Sequence, residues 1–378
     1  MIRRGLGAGA LLAASVLVSG CVVAGAPSAA PAAGAPQVTT AAPRSTAAPA
    51  TVTIAAVGDV IMGSAPDKLP PDEGRGFFDR VAEALAADLT TGNLETPLSD
   101  PTGHGKCPPP PAPDPAATAP PQPSRCFAFR VPPSYAGVLD SAGFDVLALA
   151  NNHTNDAGPA GLRNTRDALR GAGILPTGGE AEIARVEVNG ISIAVLGFGP
   201  YSWMQNVTDL DAAAELVRTA DRDADLVVVN MHVGAEGADQ QHVRPGTERF
   251  LGENRGDPMA FARGAIEAGA DLVVGHGPHV LRGMEFHQGR LIAYSMGNFA
   301  GYRVLNSAGP LGIGGVLRVT LAADGSWAGG SLVPTAMVDG GFPAVDGKGR
   351  AVPMVRDLST ADFPGTAATL APDGTITP

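Results

Sequence analysis

Six short, mostly apolar runs punctuate the chain, and each gives way at its carboxyl end to a polar cluster. Residues 53–57 lead to Gly58 and Asp59, residues 88–91 to Asn93 and Glu95, and residues 146–150 to Asn151, Asn152 and His153. Residues 226–229 lead to Asn230 and His232, residues 272–274 to His276 and His279, and residues 291–294 to Gly297 and Asn298. Runs this short and partly β-branched suit strands buried on both faces better than helices. Between them lie helix-like stretches at 77–87, with apolar residues at 77, 78, 81, 85 and 86, and at 161–171, which closes on glycine. Alternating strands and helices predict an α/β fold. In such sheets ligands sit beyond the carboxyl ends of strands, so the six clusters are expected to share one rim.

The flanks read differently. Arg3 and Arg4 precede an apolar stretch at 11–18, an export signal too short to span a membrane comfortably. It ends in Val18-Ser19-Gly20-Cys21, which resembles a bacterial lipobox: residues 1–20 would be removed and Cys21 lipidated at the outer face of the cell membrane. Ordinary cleavage with Cys21 incidental is the alternative. Residues 21–50, rich in Ala and Pro, read as a tether. A single ordered domain is expected over 51–338, followed by a tail at 339–378 with only scattered apolar positions. Inside the domain, the segment 101–126 carries ten prolines and reads as an extended insertion. Cys107 and Cys126 bracket it, and in an oxidising compartment a disulfide is the default over a zinc pair.

Composition narrows the function. A formal net charge of −11 argues against a nucleic-acid partner. Any polyanionic substrate is repelled by the protein as a whole and needs local cations. Lysine is scarce, with Lys68, Lys106 and Lys348 alone among 26 basic residues. No phosphate-binding loop of the Gly-x4-Gly-Lys type and no Gly-x-Ser-x-Gly elbow occurs.

The clusters pool Asp59, Asn93, Glu95, Asn152, His153, Asp156, His232, Glu236, His276 and His279. Carboxylates, amide oxygens and neutral imidazoles are the ligands of borderline divalent ions such as Zn, Mn or Fe. Each has a plainer reading: Asp59 as a turn residue, Asn93 and Glu95 as cap and turn, His153 as a core histidine, and Asp156 as a helix N-cap. Glu236 either orients His232 or faces solvent. Ten polar residues on one rim for unrelated reasons is the less economical account.

The segments AVGDVIMG (56–63), TGNLETPLS (91–99), FDVLALANNHTNDAG (144–158), NMHVGAE (230–236), GHGPHV (275–280) and YSMGNF (294–299) together resemble the CapA family of bacterial capsule and poly-γ-glutamate synthesis proteins. The resemblance implies a metallophosphoesterase-like sandwich of two β-sheets flanked by helices. It implies metal ligands at Asp59, Asn93, Glu95, Asn152, His232, His276 and His279, holding one or two divalent transition metal ions. His153 would be the general acid with Asp156 setting its tautomer, and Glu95 would make good the charge that Asn93 lacks. Arg282, Asn298 and Glu236 would hold an anionic polymer such as poly-γ-glutamate, within a polymer-synthesis complex. Departures stand beside these matches: Ile61 replaces the second metal ligand of the usual Asp-x-His opening, and Gly277 stands where many relatives carry histidine. A hydrolase of phosphoesters or amides unrelated to capsule, and a non-catalytic export or binding scaffold, are the other readings. Neutral histidine ligands would make metal affinity fall as pH drops through about 6.5.

Overall fold

The computed structural model describes residues 50–108 and 126–378. Cys21, with the expected signal and tether, lies outside the described residues. The chain opens with β1 (Thr51–Ile61), a single helical turn α1 (Ala82–Leu85), β2 (Leu89–Leu94), α2 (Ala136–Ser141), β3 (Val146–Ala148), α3 (Gly158–Gly171) and β4 (Leu175–Thr177). These four strands lie side by side and parallel in one sheet. The chain then enters a second sheet with β5 (Ala184–Val188), β6 (Ile191–Phe198), α4 (Leu210–Asp223) and β7 (Leu226–His232). A two-residue-per-strand hairpin, β8 (Arg249–Phe250) and β9 (Glu253–Asn254), precedes α5 (Pro258–Glu267). The second sheet is completed by β10 (Leu272–His276), β11 (Met284–His287) and β12 (Arg290–Ala293). Finally β13 (Asn298–Gly301), β14 (Ile313–Ala322), β15 (Trp327–Val338) and β16 (Phe342–Val345) return to the first sheet, ahead of α6 (Ala351–Asp362), β17 (Thr369–Leu370) and β18 (Ile376–Thr377).

Strand alternation sorts the side chains into layers. Val52, Ile54, Leu89 and Val146 from the first sheet meet Val195, Leu226, Val228, Leu272 and Val274 from the second in one buried cluster. Their neighbours Ala55, Val57, Leu94 and Leu147 face the other way and pack beneath Phe78, Leu139 and Leu169. Val227, Val229 and Val273 do the same on the second sheet, against Ala213, Val217, Phe261 and Ala262 of α4 and α5. Both helices start from an aspartate: Asp209 accepts from the Ala212 N–H and Asp257 from the Ala260 N–H, which satisfies first-turn donors. The result is two β-sheets packed face to face with helices outside: the α/β fold that strand and helix alternation predicts, arranged as the sandwich that the family resemblance implies.

Two stretches differ from expectation. The helix expected at 77–87 shrinks to a 3-10 turn at Asp79–Val81 and the single turn of α1. Phe77 and Phe78 are spent on ring contacts with Phe342 and Phe144, and the backbone straightens at Ala86 to enter β2. Residues 339–378, expected as a tail, are part of the domain. Here β16 extends the first sheet, and Val352, Val355, Leu370 and Ile376 join the core between the sheets.

Candidate functional site

The site exists because inward-facing alternations run from apolar to polar near the carboxyl ends of four strands. On β2 and just beyond, Leu89, Thr91, Asn93 and Glu95 follow at every second position; on β7, Leu226, Val228, Asn230 and His232; on β10, Leu272, Val274 and His276. β1 keeps Asp59 in line through a register shift between Ala56 and Asp59. At that shift Gly58 is obligatory, since a Cβ there would lie 1.9 Å from the Gly297 carbonyl oxygen. Register pairs Asp59 with both Asn93 and Asn298, and His232 with His276, so the two facing sheets present their polar ends to each other. His279 arrives on the following loop with a left-handed φ of 61°, a conformation that non-glycine residues adopt at a cost and retain mostly where function holds them. These residues are not on an open rim: Asp59, Asn93, Glu95, His232 and His276 are all fully buried, and His279 is nearly so.

Hydrogen bonds fix several orientations. The Asn151 amide nitrogen donates to the Leu94 carbonyl and to Asn93 Oδ1, while Asn151 Oδ1 accepts from the His153 N–H. Asn93 therefore turns its amide nitrogen to Asp59 Oδ1 at 2.8 Å. With its oxygen accepting from Asn151, Asn93 positions Asp59 through its amide nitrogen in this arrangement. His276 places Nε2 3.1 Å from Asn230 Oδ1, which must accept, so its proton sits there and Nδ1 keeps a lone pair facing Asp59 at 3.9 Å. Arg255, absent from the sequence-derived set, is buried with Nη2 2.9 Å from His232 Nε2 and Nη1 2.9 Å from Glu236. A guanidinium and an amide nitrogen only donate, so His232 meets a donor at each ring nitrogen, Arg255 at Nε2 and Asn93 Nδ2 at Nδ1 (3.3 Å), with Nδ1 also 3.5 Å from Glu95 Oε1. Arg255 left no mark in the sequence, because it lies on a polar loop after β9.

Charge in the cluster is balanced by protons. Burial disfavours the Asp59 carboxylate, but the hydrogen bond and charge of His279, with His276 and Asn93, hold its pKa below the usual value. His279 Nδ1 lies 3.1 Å from Asp59 Oδ2 and 2.9 Å from Asn298 Oδ1. Burial would discharge that imidazole, yet Glu95, Asp59 and Glu236 outweigh it and push its pKa up to about 10. Glu95 is driven well above the carboxylate range, by burial first and then by the Asp59 charge. His276 falls to about 4 because burial outweighs Asp59. His232 falls well below the usual histidine value through burial and the Arg255 charge.

This chemistry fits a cation. Both Glu95 oxygens, Asn152 Oδ1 and His276 Nδ1 are buried without a hydrogen-bond partner, a costly condition that a metal relieves. Asp59, Glu95 and His232 each offer an atom within 4.8 Å of the others. Asp59, Glu95 and His232 thus form a buried group that could hold a metal ion, with His276, His279 and Asn152 beside them.

The remaining expected residues divide. His153 Nδ1 lies 2.7 Å from Asp156 Oδ2, which also accepts from the Phe129 N–H at 2.8 Å. Asp156 is not the helix cap, since α3 begins at Gly158 after Ala157. Burial lowers the His153 pKa, Asp156 opposes this, and Lys106 and His279 lower it further. Arg282, expected to touch substrate, is fully buried and saturated by Glu248 at 2.8 and 3.0 Å and by the Gln240 carbonyl. It is a strut, not a binding group. Glu236 faces the pocket between Arg255 and His279 Nε2, the latter at 3.7 Å.

Above the cluster opens a cavity of about 550 Å³ lined by Asn152, His153, Glu236, Arg255, His279 and Asn298 at its polar end. Phe127, Phe129, Phe250, Leu251, Val304 and Leu305 give it an apolar wall. The insertion forms part of that wall, closed by the disulfide between Cys107 and Cys126.

Residues 53–302 match the family model described as "Bacterial capsule synthesis protein PGA_cap". "PGA biosynthesis protein CapA" of Bacillus subtilis is 29% identical over 262 residues, covering 64% of this chain and 61% of that protein. "Capsule biosynthesis protein CapA" of Bacillus anthracis is 28% identical over 274 residues, covering 66% and 59%. A "Probable polyglutamine synthesis accessory protein" of Mycobacterium tuberculosis is 30% identical over 200 residues, covering 45% and 48%. The match spans about three fifths of the length of the Bacillus relatives.

Proposed function

The chain belongs to the bacterial capsule synthesis family, and from that premise we propose that it acts in the assembly of an anionic capsular polymer through a buried, divalent-metal-dependent site. The polymer in this reading is poly-γ-glutamate or a close polycarboxylate. The observation that carries it is Glu95, whose two buried oxygens face the Asp59 charge, His232 and His279 with no hydrogen-bond partner of their own. The relatives' names support the capsule context.

Asp59, Glu95 and His232 would hold the ion, together with His276, His279 and Asn152 beside them. Mn, Zn and Fe suit this oxygen and nitrogen donor set. When bound, the ion supplies Lewis-acid polarisation of the carbonyl or phosphoryl oxygen under attack. The chain's own groups do the rest. Asp156 keeps the His153 proton on Nδ1, leaving Nε2 to pass a proton to or from the reacting bond. Arg255 and Lys106 offset the charge of the polymer, and the apolar wall limits water.

Export and anchoring through Cys21 belong to the same reading and rest on the lipobox-like sequence. Among the described residues no helix is long and apolar enough to cross a membrane. A polymer-synthesis complex at the outer membrane face would be its partner.

The test is metal analysis of the purified chain beside a His232→Ala, His276→Ala double variant. Near-stoichiometric transition metal, lost in the variant, supports the reading and justifies screening polyglutamate for turnover. A native chain that stays metal-free after reloading at neutral pH would overturn it in favour of a polymer-binding scaffold.

A further inference from the structure

Beside the large cavity lies a second one of about 290 Å³, whose lining includes Ser64, Asp67 and Lys68. The two cavities share Cys126, Phe127, Phe129 and Val304, so these residues form the ridge between them. The ridge is tied down on both sides. Cys126 is bonded to Cys107, the Phe129 N–H donates to Asp156, and the Arg130 carbonyl accepts from the Ala65 N–H at 2.7 Å. Phe127 remains 60% exposed on this fixed backbone and presents its ring to both cavities.

Each of the two cavities also carries a lysine. Of the three lysines in a chain of net charge −11, Lys106 lines the large cavity and Lys68 the small one. Lys106 is engaged with Asp156 at 3.2 Å. The exposed Lys68 makes no side-chain ion pair among the described residues and stands beside Asp67. A cation, a carboxylate acceptor and an exposed ring match one repeat of a γ-linked polyglutamate: a carboxylate, an amide N–H and a stretch of methylenes. A polyanion approaching an acidic protein gains affinity only where local cations recur along its length.

We propose that the second cavity is a subsite for the polycarboxylate chain whose reacting bond lies at the buried cluster, with the chain crossing the Phe127 ridge between them. Lys68 pairs with a carboxylate there, Asp67 accepts an amide N–H, and Phe127 packs against the methylenes. This rests on the anionic-polymer reading above.

The test compares binding of a γ-linked glutamate dipeptide and a γ-linked octamer to the purified chain and to Lys68→Gln, by calorimetry. The native chain should bind the octamer about tenfold more tightly than the dipeptide. Lys68→Gln, an exposed change that leaves the fold intact, should weaken the octamer by up to about fivefold and leave the dipeptide unchanged. Phe127→Ala should also act on the octamer alone. Equal affinity of the native chain for both oligomers, or an equal loss for both in Lys68→Gln, overturns the subsite and leaves the polymer reading standing. Binding of neither oligomer, or of inorganic polyphosphate instead, overturns both.

Discussion

On the floor of the pocket, Asp59, Asn93, Glu95, His232 and His276 each extend an inward-facing strand alternation, and strand register sets their spacing. On the rim, Lys106 comes from the insertion and Phe127 and Phe129 from the segment just after it, while Glu253 and Arg255 come from β9 and the loop after it. A floor residue moves only if a strand moves. The insertion side of the rim stays because of a disulfide and a few contacts to Asp156, and Arg255 because of His232 and Glu236. The floor can therefore be chemically altered without losing its shape, and the rim can be released without altering the floor.

The strongest test of that separation removes the disulfide. Cys107 and Cys126 are 19 positions apart, so in the chain-entropy account the paired Cys107→Ser, Cys126→Ser variant should lose about 3 kcal/mol of stability in chemical denaturation. Metal bound per chain should stay at the native value. Loss of metal in this variant would show that floor and rim are one unit.

Glu95→Gln probes the floor alone, and its two readouts move in opposite directions. Losing a ligand carboxylate should weaken metal binding about a hundredfold, or about 2.7 kcal/mol. In the metal-free protein, a carboxyl whose folded pKa is raised holds a proton that the unfolded chain has released. Its contribution is most favourable below the ordinary value of 4.5 and falls as pH rises towards its folded pKa. Glu95→Gln should flatten that decline in metal-free melting curves. An unchanged pH profile would mean that the Glu95 environment is wetter than its burial shows.

A third test counts protons. The sequence predicts that metal affinity falls below about pH 6.5, but buried His276 stays neutral down to about pH 4. The proton that must leave is on His279, raised to about 10 by Glu95, Asp59 and Glu236 against the opposing effect of burial. Metal binding at pH 8 should therefore release at least one proton per ion, seen as a dependence of binding heat on buffer ionisation. Each proton released makes affinity climb about tenfold per pH unit up to that pKa. Binding without proton release would remove His279 from the ligand set.

The floor was legible in the sequence because strand alternation is local: an apolar run ending in Asn, His or Asp already states which face the polar group joins. The rim was not, because Arg255 meets His232 across 23 positions and Phe129 meets Asp156 across 27, contacts that no periodicity encodes. Arg282 was misjudged for the same reason, since its partner Glu248 lies 34 positions away on the loop before β8. The carboxyl-terminal helix escaped notice because one face of Val352 and Val355 is too short a signal to separate from scattered apolar residues.

The smallest expected effect lies where rim meets floor. Lys106 is 37% exposed at its side chain and reaches both Asp156 Oδ1 at 3.2 Å and the Asn152 carbonyl at 3.0 Å. Lys106→Gln should cost no more than about 1 kcal/mol, as for other solvent-reaching ion pairs. Asp156 keeps the Phe129 N–H and the His153 ring, so the His153 tautomer should persist. What changes is charge. Burial is the main reason His153 titrates low, and Lys106 adds to it, so removing the ammonium should move the His153 titration upward in ring-nitrogen NMR. Metal content should be unaffected, since Lys106 touches none of Asp59, Glu95 or His276. A downward shift of His153 would mean that Lys106 mainly keeps Asp156 in place, and the insertion would then hold the general acid's geometry as well as its charge.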